Sequence, residues 1–223
     1  FPKSSAEYRR LVSGTSSATT TTTASASTTI TTAPASTTTT TAPASTTTTT
    51  TTTTTVVPTV VTGETIWTAG DKPVAISGDT KAAEVGVKFR TDVKGYISGV
   101  RFFKAETNWG SHVASLWKKD GTLLARATFA AETASGWQEV RFSTPVRVWA
   151  GTTYIASYHM DGGRYAEDLG YFTRSVTRGH LTALRSGFDG GNGVYSYGSA
   201  PRFPSHAAPK DRNYWVDVVF SAS

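Results

Sequence analysis

The sequence predicts an all-β protein, in which an antiparallel β-sandwich or jelly-roll-like domain over residues 63–223 follows an extended low-complexity segment. Two observations support this fold class. From residue 64 onward, short runs of alternating apolar and polar residues recur between turn-forming residues, and helix-length apolar patterns are lacking. Residues 15–62 carry no charged side chain and are mostly threonine, so the composition changes sharply where the domain begins.

Composition divides the chain into an N-terminal segment (1–14), a Thr/Ser/Pro-rich stalk (15–62) and the domain (63–223). The stalk contains three successive nine-residue repeats, at 19–27, 28–36 and 37–45. Ser/Thr-rich sequence with interspersed proline is typical of O-glycosylated stalks. An extended segment of this length would reach on the order of 150 Å.

We therefore predict covalent O-glycans on the stalk. The predicted acceptors are threonines of the repeats and of the run that follows them: Thr19, Thr20, Thr28, Thr29, Thr37, Thr38, Thr46, Thr47 and Thr48. Because such sugars are added in export pathways or at the surface, we expect a secreted or bacterial cell-surface protein. Residues 1–12 lack the apolar stretch of a signal peptide, so we expect a processed chain or a piece of a longer one.

Charge and composition exclude several other classes of protein. The net charge of +6 is spread along the chain without a basic stripe, which does not indicate a nucleic-acid partner. No run approaches the ~20 apolar residues of a membrane span. Cysteine is absent, and a domain of this size can build a core without disulfides.

Strands are predicted where side chains alternate with period two. The clearest lie at 100–104, 138–142, 154–158 and 214–220. Of the remaining sequence, only 176–186 has a pattern that could form a helical turn.

Two turns are predicted between strands. Asp120-Gly121 should form a type I′ hairpin turn, because Asp-Gly tolerates the positive φ angles that this turn requires. Residues 149–153 form the second turn.

Asp217 lies in a predicted strand among apolar residues, and Arg101 has an equivalent place in another strand. Burying an unpaired charge is unfavourable, so we predict a structural ion pair between the two. A separation above about 6 Å would rule out direct pairing.

Residues 159–212 combine aromatic side chains with Gly, Asp, Asn, Ser and Pro. Loops of this kind often carry binding surfaces, and flat rings suit the apolar faces of sugars. The alternative, which we favour for most of these rings, is that they close one end of the sandwich as part of its core. The glycan-contact candidates in the chain are Trp109, His112, Tyr165, Tyr171, Tyr195 and Tyr197. The other tryptophans lie mostly in strand-like contexts and are predicted to be core: Trp67, Trp117, Trp137, Trp149 and Trp215.

No cofactor is predicted, with a structural calcium ion as the one alternative held open. Asp161, Asp168 and Asp189 offer oxygen ligands on or near glycine turns, which suits Ca²⁺, although their spacing matches no EF-hand. Nucleophile-elbow, zincin and phosphate-loop motifs are absent, and the four histidines lack metal-ligand spacing. We therefore predict that the domain is not an enzyme.

Several segments together resemble an uncharacterised domain-of-unknown-function family of bacterial exported and cell-surface proteins. They are GVKFRTDVKGYISGVRFFKA (86–105), GSHVASLWKKDGTLLARATF (110–129), SGWQEVRFSTPVRVWAGTTYIASYHM (135–160) and NYWVDVVF (213–220). The resemblance covers about 64–223 and leaves the stalk unmatched. It implies a β-sandwich accessory module, found in the family beside immunoglobulin-like, repeat or glycoside hydrolase domains, and brings no catalytic residues.

The sequence thus predicts a non-catalytic extracellular structural or adhesion module on an O-glycosylated stalk, with a subunit of a surface filament as one form of that role. The alternative is a carbohydrate-binding accessory module of a larger secreted polysaccharide-degrading enzyme. Expected partners are other copies of the chain, other surface proteins and polysaccharide. The apolar segment at 56–61 could add a strand to the sheet of another chain.

Overall fold

The computed structural model describes residues 63–223. The predictions for the N-terminal segment, the glycosylated repeats and the 56–61 strand lie outside these residues. The described part forms thirteen strands and one 3₁₀ turn, Tyr171–Thr173. The strands are β1 (Ala75–Ile76), β2 (Ala83–Thr91), β3 (Gly95–Lys104), β4 (His112–Lys118), β5 (Leu123–Thr128), β6 (Gly136–Val148), β7 (Tyr154–Met160), β8 (Ala166–Glu167), β9 (Val176–Arg178), β10 (Leu181–Ala183), β11 (Val194–Tyr197), β12 (His206–Ala207) and β13 (Val216–Ala222).

Two antiparallel sheets form the body of the domain. The larger has the order β12-β11-β2-β7-β4-β5, and the β9–β10 hairpin also pairs with β2. The smaller has the order β13-β3-β6, and β1 and β8 form a separate pair. The sheets pack face to face, and Phe102 of β3 stacks on Tyr158 of β7 with ring centroids 4.1 Å apart. The predicted all-β antiparallel sandwich is confirmed. Within residues 63–223, no helix is long and apolar enough to cross a membrane.

Strand β7 is buried on both faces, because each face of the larger sheet is covered. Tyr158 and its alternate neighbours enter the main core between the sheets. Ile155 faces the other way and packs with Trp117 and Val194 in a second apolar cluster, against which Phe203 also packs. The four predicted strands all lie within strands of the structure or overlap them.

Residues 176–186, where the sequence could form a helical turn, form the β9–β10 hairpin instead, with Leu181 paired to Arg178 across the turn. Gly179 has a φ of 54°, a conformation that suits a tight turn and interrupts a helix.

The Asp120-Gly121 hairpin is confirmed between β4 and β5, but its predicted turn type is wrong. Lys118 N donates to Thr122 O at 2.9 Å, and Gly121 N donates to Lys118 O at 3.1 Å. Within this three-residue loop only Gly121 has a positive φ, of 91°. A type I′ turn requires positive φ at both central residues, and Asp120 does not adopt it.

The predicted Arg101–Asp217 pair is confirmed, with Arg101 Nη2 2.9 Å from Asp217 Oδ2. The fully buried carboxylate also accepts hydrogen bonds from the backbone nitrogens of Ile66, at 2.8 Å, and Trp67, at 3.2 Å. It thereby holds the segment before β1 against the outer face of the smaller sheet. Burial raises the pKa of Asp217, while the Arg101 guanidinium and these N–H groups oppose the rise.

Asn192 holds the loop between β10 and β11 against β2. Its buried side chain accepts from Lys88 N at 2.8 Å and donates to Lys88 O at 2.9 Å and Leu184 O at 2.6 Å. The Asn192 amide therefore takes the place of a neighbouring strand at Lys88, which lies between the part of β2 that pairs with β11 and the part that pairs with β10. This contact sets the position of the 187–190 loop, which borders the cleft described next.

Candidate ligand-binding cleft

An open cleft of about 620 Å³ lies between the β4–β5 hairpin and the turn that follows β6. This volume is within the usual range for small-molecule sites. The residues that determine its chemistry are Lys118, Lys119, Asp120, Arg147, Trp149 and Thr153. The cleft thus combines an indole ring, three cations, one carboxylate and one hydroxyl group.

Trp149 presents an exposed indole to the cleft, with 53% of the residue accessible. The turn that carries it is held in place, because Trp149 N donates to Tyr154 Oη at 3.2 Å and Gly151 N donates to Thr91 O at 2.8 Å. The guanidinium carbon of Arg147 lies 4.5 Å from the centroid of the indole. The prediction of Trp149 as a core residue is wrong, because β6 ends at Val148 and the turn carries the next side chain away from the core.

Asp189 lies behind the cleft wall and holds two of the residues that line it. Its carboxylate pairs with Lys119, accepts from Thr153 Oγ1 at 2.6 Å and lies 3.3 Å from Arg90 Nη2. The Lys119 and Thr153 hydrogen bonds lower the pKa of Asp189 to about 2. The carboxylate therefore remains ionised and keeps Lys119 and Thr153 at the cleft.

A second exposed ring lies beside this wall. Phe188 is 55% accessible, and the Arg90 guanidinium carbon lies 4.8 Å from its ring centroid. Lys88 Nζ donates to Asp189 O at 2.8 Å and holds the same loop. Two exposed aromatic side chains in this region, Trp149 and Phe188, thus each lie beside an arginine.

The sequence-predicted glycan residues do not form this site. Lys118 pairs with Tyr154 across β4 and β7, whereas His112 pairs with Met160, so the cleft and the segment before β4 lie at opposite ends of the sheet. Trp109 lies in that segment and is 65% exposed. Tyr197, at the end of β11, is also exposed and donates to Asp79 Oδ2 at 2.5 Å.

His112 is buried and contacts other residues through both ring nitrogens. Nδ1 lies 2.9 Å from Glu132 Oε1, and Nε2 lies 2.7 Å from Asn108 Oδ1. Burial lowers the pKa of the imidazole, and Glu132 opposes this change. Its side chain is a polar element of the core and does not face a ligand surface.

The remaining predicted rings contribute to packing. Tyr165 is buried against Tyr214, with ring centroids 5.2 Å apart. The Tyr171 hydroxyl accepts from Trp67 Nε1 at 2.8 Å. Tyr195 is half-buried and packs on Tyr197. These contacts agree with the alternative that most rings of 159–212 belong to the core.

The three aspartates of the predicted calcium site lie in different environments. Asp161 is 3.5 Å from His159 Nε2, Asp168 accepts from Val74 N at 2.8 Å, and Asp189 is surrounded by cations. In the part of the chain that the structure describes, no group of three or more acidic or histidine side chains could hold a metal ion. The structure therefore does not bring the proposed calcium ligands together.

Glu84, Ser157 and His159 form a buried polar cluster next to Arg202. Glu84 is fully buried, accepts from Ser157 Oγ at 2.5 Å and from Arg202 N at 3.2 Å, and lies 3.9 Å from His159 Nδ1. Ser157 Oγ also accepts from Trp117 Nε1 at 2.8 Å. Burial raises the pKa of Glu84 to about 7.

Sequence reasoning missed the cleft residues Lys118, Lys119, Arg147 and Trp149. One available signal was the predicted turn at 149–153, since a tryptophan in a turn is less easily buried than one in a strand. No local signal shows that the β4–β5 hairpin lies beside that turn, because the two are brought together by pairing of β4 with β7.

The fold is that of an all-β sandwich module, and the end that holds the β4–β5 hairpin carries an open cationic cleft with an exposed indole. A family model described as "Domain of unknown function (DUF4082)" matches residues 69–216, and the chain belongs to this family. The resemblance to an uncharacterised domain-of-unknown-function family is thereby confirmed. No curated protein matches the chain.

Proposed function

We propose that the domain is a non-catalytic module of an exported bacterial surface protein and that it attaches this protein to glycans through the cleft beside Trp149. The exposed indole in a cleft of about 620 Å³ is the observation that carries the proposal. A flat ring can stack on the apolar face of a sugar, and nearby Lys118 and Arg147 supply polar groups that orient a ligand.

The acids near the cleft support a non-catalytic role. Hydrolysis of a glycosidic bond needs one carboxyl group that remains protonated near neutral pH. Hydrogen bonds with Thr122 lower the pKa of Asp120, and those with Lys119 and Thr153 lower the pKa of Asp189. Both groups stay ionised and are poorly suited to donate a proton to a leaving group.

The threonine-rich composition of 15–62 supports the extracellular part of the proposal, because it is typical of O-glycosylated stalks. A stalk would hold the cleft away from the surface that carries it, which suits adhesion. Self-association into a filament and attachment to a polysaccharide-degrading enzyme are two settings for the same binding activity. Electron microscopy of native material shows whether the protein forms filaments. The domain content of the parent polypeptide shows whether the module is attached to a polysaccharide-degrading enzyme.

The experiment is a glycan array probed with the full chain, followed by titration calorimetry on the ligands that bind. Trp149→Ala removes the indole from the cleft, while Trp109→Ala removes another exposed indole at the opposite end of the larger sheet. A buried aromatic contact contributes about 2 kcal/mol, so Trp149→Ala should weaken binding roughly 30-fold and Trp109→Ala should not.

Two results would contradict this proposal. An array without any bound glycan removes the binding function. Binding that is lost in Trp109→Ala and kept in Trp149→Ala moves the site to the opposite end of the sheet, where Trp109, His112 and Tyr197 lie.

A further inference from the structure

The charges around Trp149 point to a ligand class, and we infer that the cleft selects acidic glycans, bearing carboxylate or sulfate groups, over neutral ones. This inference rests on the proposed function and names its ligand. Three cations line the cleft, Lys118, Lys119 and Arg147, against the single carboxylate of Asp120.

Two of the three cations have no ion-pair partner among the described residues, although Lys118 interacts with the Asp120 carboxylate at longer range. Lys119 pairs with Asp189, but neither Lys118 nor Arg147 takes part in any ion pair formed within residues 63–223. The Asp120 carboxylate accepts from Thr122 N at 2.9 Å, which fixes it to its own turn. The side of the cleft formed by Lys118 and Arg147 therefore keeps an excess of positive charge for a ligand.

Arg147 is already oriented for an acidic group. Its guanidinium lies over the ring of Trp149, with 4.5 Å between the guanidinium carbon and the ring centroid. A guanidinium held over a ring can still direct N–H donors at a carboxylate or sulfate. Less side-chain entropy is lost on binding when the donor is held in this way.

The remaining cations of this region hold the wall of the cleft. Arg90 and Lys119 both contact the Asp189 carboxylate, and Lys88 contacts its backbone oxygen. A ligand carboxylate placed near Asp189 would meet these three cations as well as the negative charge of Asp189 itself. Lys119 therefore serves mainly to hold this loop, and Lys118 and Arg147 are the cleft cations left for a ligand.

Matched polymer pairs test the inference on the full chain. Polygalacturonate is compared with its methyl ester, which keeps the sugar and removes the charge, and dextran sulfate is compared with dextran. We expect at least about tenfold tighter binding of one or both acidic members, weakening as NaCl rises from about 0.05 M to about 0.5 M. The two pairs separate a carboxylate ligand from a sulfate ligand.

Lysine substitutions locate the effect. Lys118→Gln should weaken binding of the acidic polymer about two- to fivefold, as expected for one exposed charge. Lys81→Gln is the control, because Lys81 lies beside the ring of Tyr197 at the opposite end of the sheet and should not alter binding.

Each contrary outcome has a separate meaning. Equal affinity for acidic and neutral members, lost in Trp149→Ala, overturns the acidic preference and leaves the glycan-binding proposal standing. Equal losses in Lys118→Gln and Lys81→Gln, or equally tight binding of a short duplex DNA, overturn the inference as general attraction of polyanions. Absence of binding to every glycan overturns the proposed function together with the inference.

Discussion

Replacing Asp217 with alanine should destabilise the domain more than any surface substitution. The Asp217 carboxylate is fully buried and accepts four hydrogen bonds. They come from Ile66 N at 2.8 Å, Trp67 N at 3.2 Å, Val218 N at 2.7 Å and Arg101 Nη2 at 2.9 Å. Alanine removes the common acceptor and leaves all of these donors in place.

The expected magnitude follows from the groups that lose their partner. Removing one member of a buried ion pair costs about 3–5 kcal/mol, mainly because the other charge stays buried. Arg101 keeps its hydrogen bond to Trp67 O at 3.0 Å and its contact with Trp137, which favours the lower half of that range. For a domain of this size, each kcal/mol lowers the Tm by about 2–4 °C, so we expect a loss of roughly 6–16 °C.

Guanidinium chloride unfolding of the full chain, followed by tryptophan fluorescence, measures this change in the free energy of unfolding. Glu139→Ala is the matched control. Glu139 lies opposite Arg101 in the same sheet and forms an exposed pair with Arg141, so its loss should cost no more than about 1 kcal/mol.

A double-mutant cycle with Arg101→Met completes the test. If the pair acts as a unit, Asp217→Leu combined with Arg101→Met should be less destabilising than the sum of the two single changes, because no unpaired charge remains. Equal destabilisation by Asp217→Ala and Glu139→Ala would refute the reasoning. Strict additivity in the cycle would show that the two side chains act independently.

Two further predictions concern buried polar groups. The pKa of Glu84 is raised in the fold to about 7 from 4.5, so its stabilising effect is fully present below about pH 4.5 and is lost as the pH rises through about 7. From about pH 5 to pH 8, the free energy of unfolding of the wild type should fall by about 2.5 kcal/mol more than that of Glu84→Gln, and parallel pH curves would contradict this. Asn192→Ala should cost about 2–4 kcal/mol and speed hydrogen exchange at the Lys88 amide, because that N–H and Leu184 O lose their partner; unchanged exchange would argue against the role of Asn192.

The fold was largely predictable because alternation of side chains along a strand is a local property. The strands at 100–104 and 154–158 follow directly from that pattern. The hairpin at 176–186 was missed because its strands are only three residues long, too short for a periodic signal. The type of the turn at Asp120 could not be predicted either, because the same dipeptide also serves a three-residue loop.

The candidate site was mostly not predictable, and Trp149 and Tyr165 show why. Both are aromatic residues near predicted turns, but Tyr214 returns to cover Tyr165 and no described residue covers Trp149 to the same extent. A residue that covers a ring can lie far from it in the sequence, so local sequence does not show which ring will be buried.

The sequence by itself determined the all-β class and the need for Asp217 to have a partner such as Arg101, because periodicity and the cost of an unpaired buried charge depend on local residue types. Only the tertiary structure decided that the exposed indole is that of Trp149 and that Lys118 and Arg147 flank it. That outcome depends on strands distant in sequence pairing along β7, and exposure is a property of the packed chain rather than of any one segment.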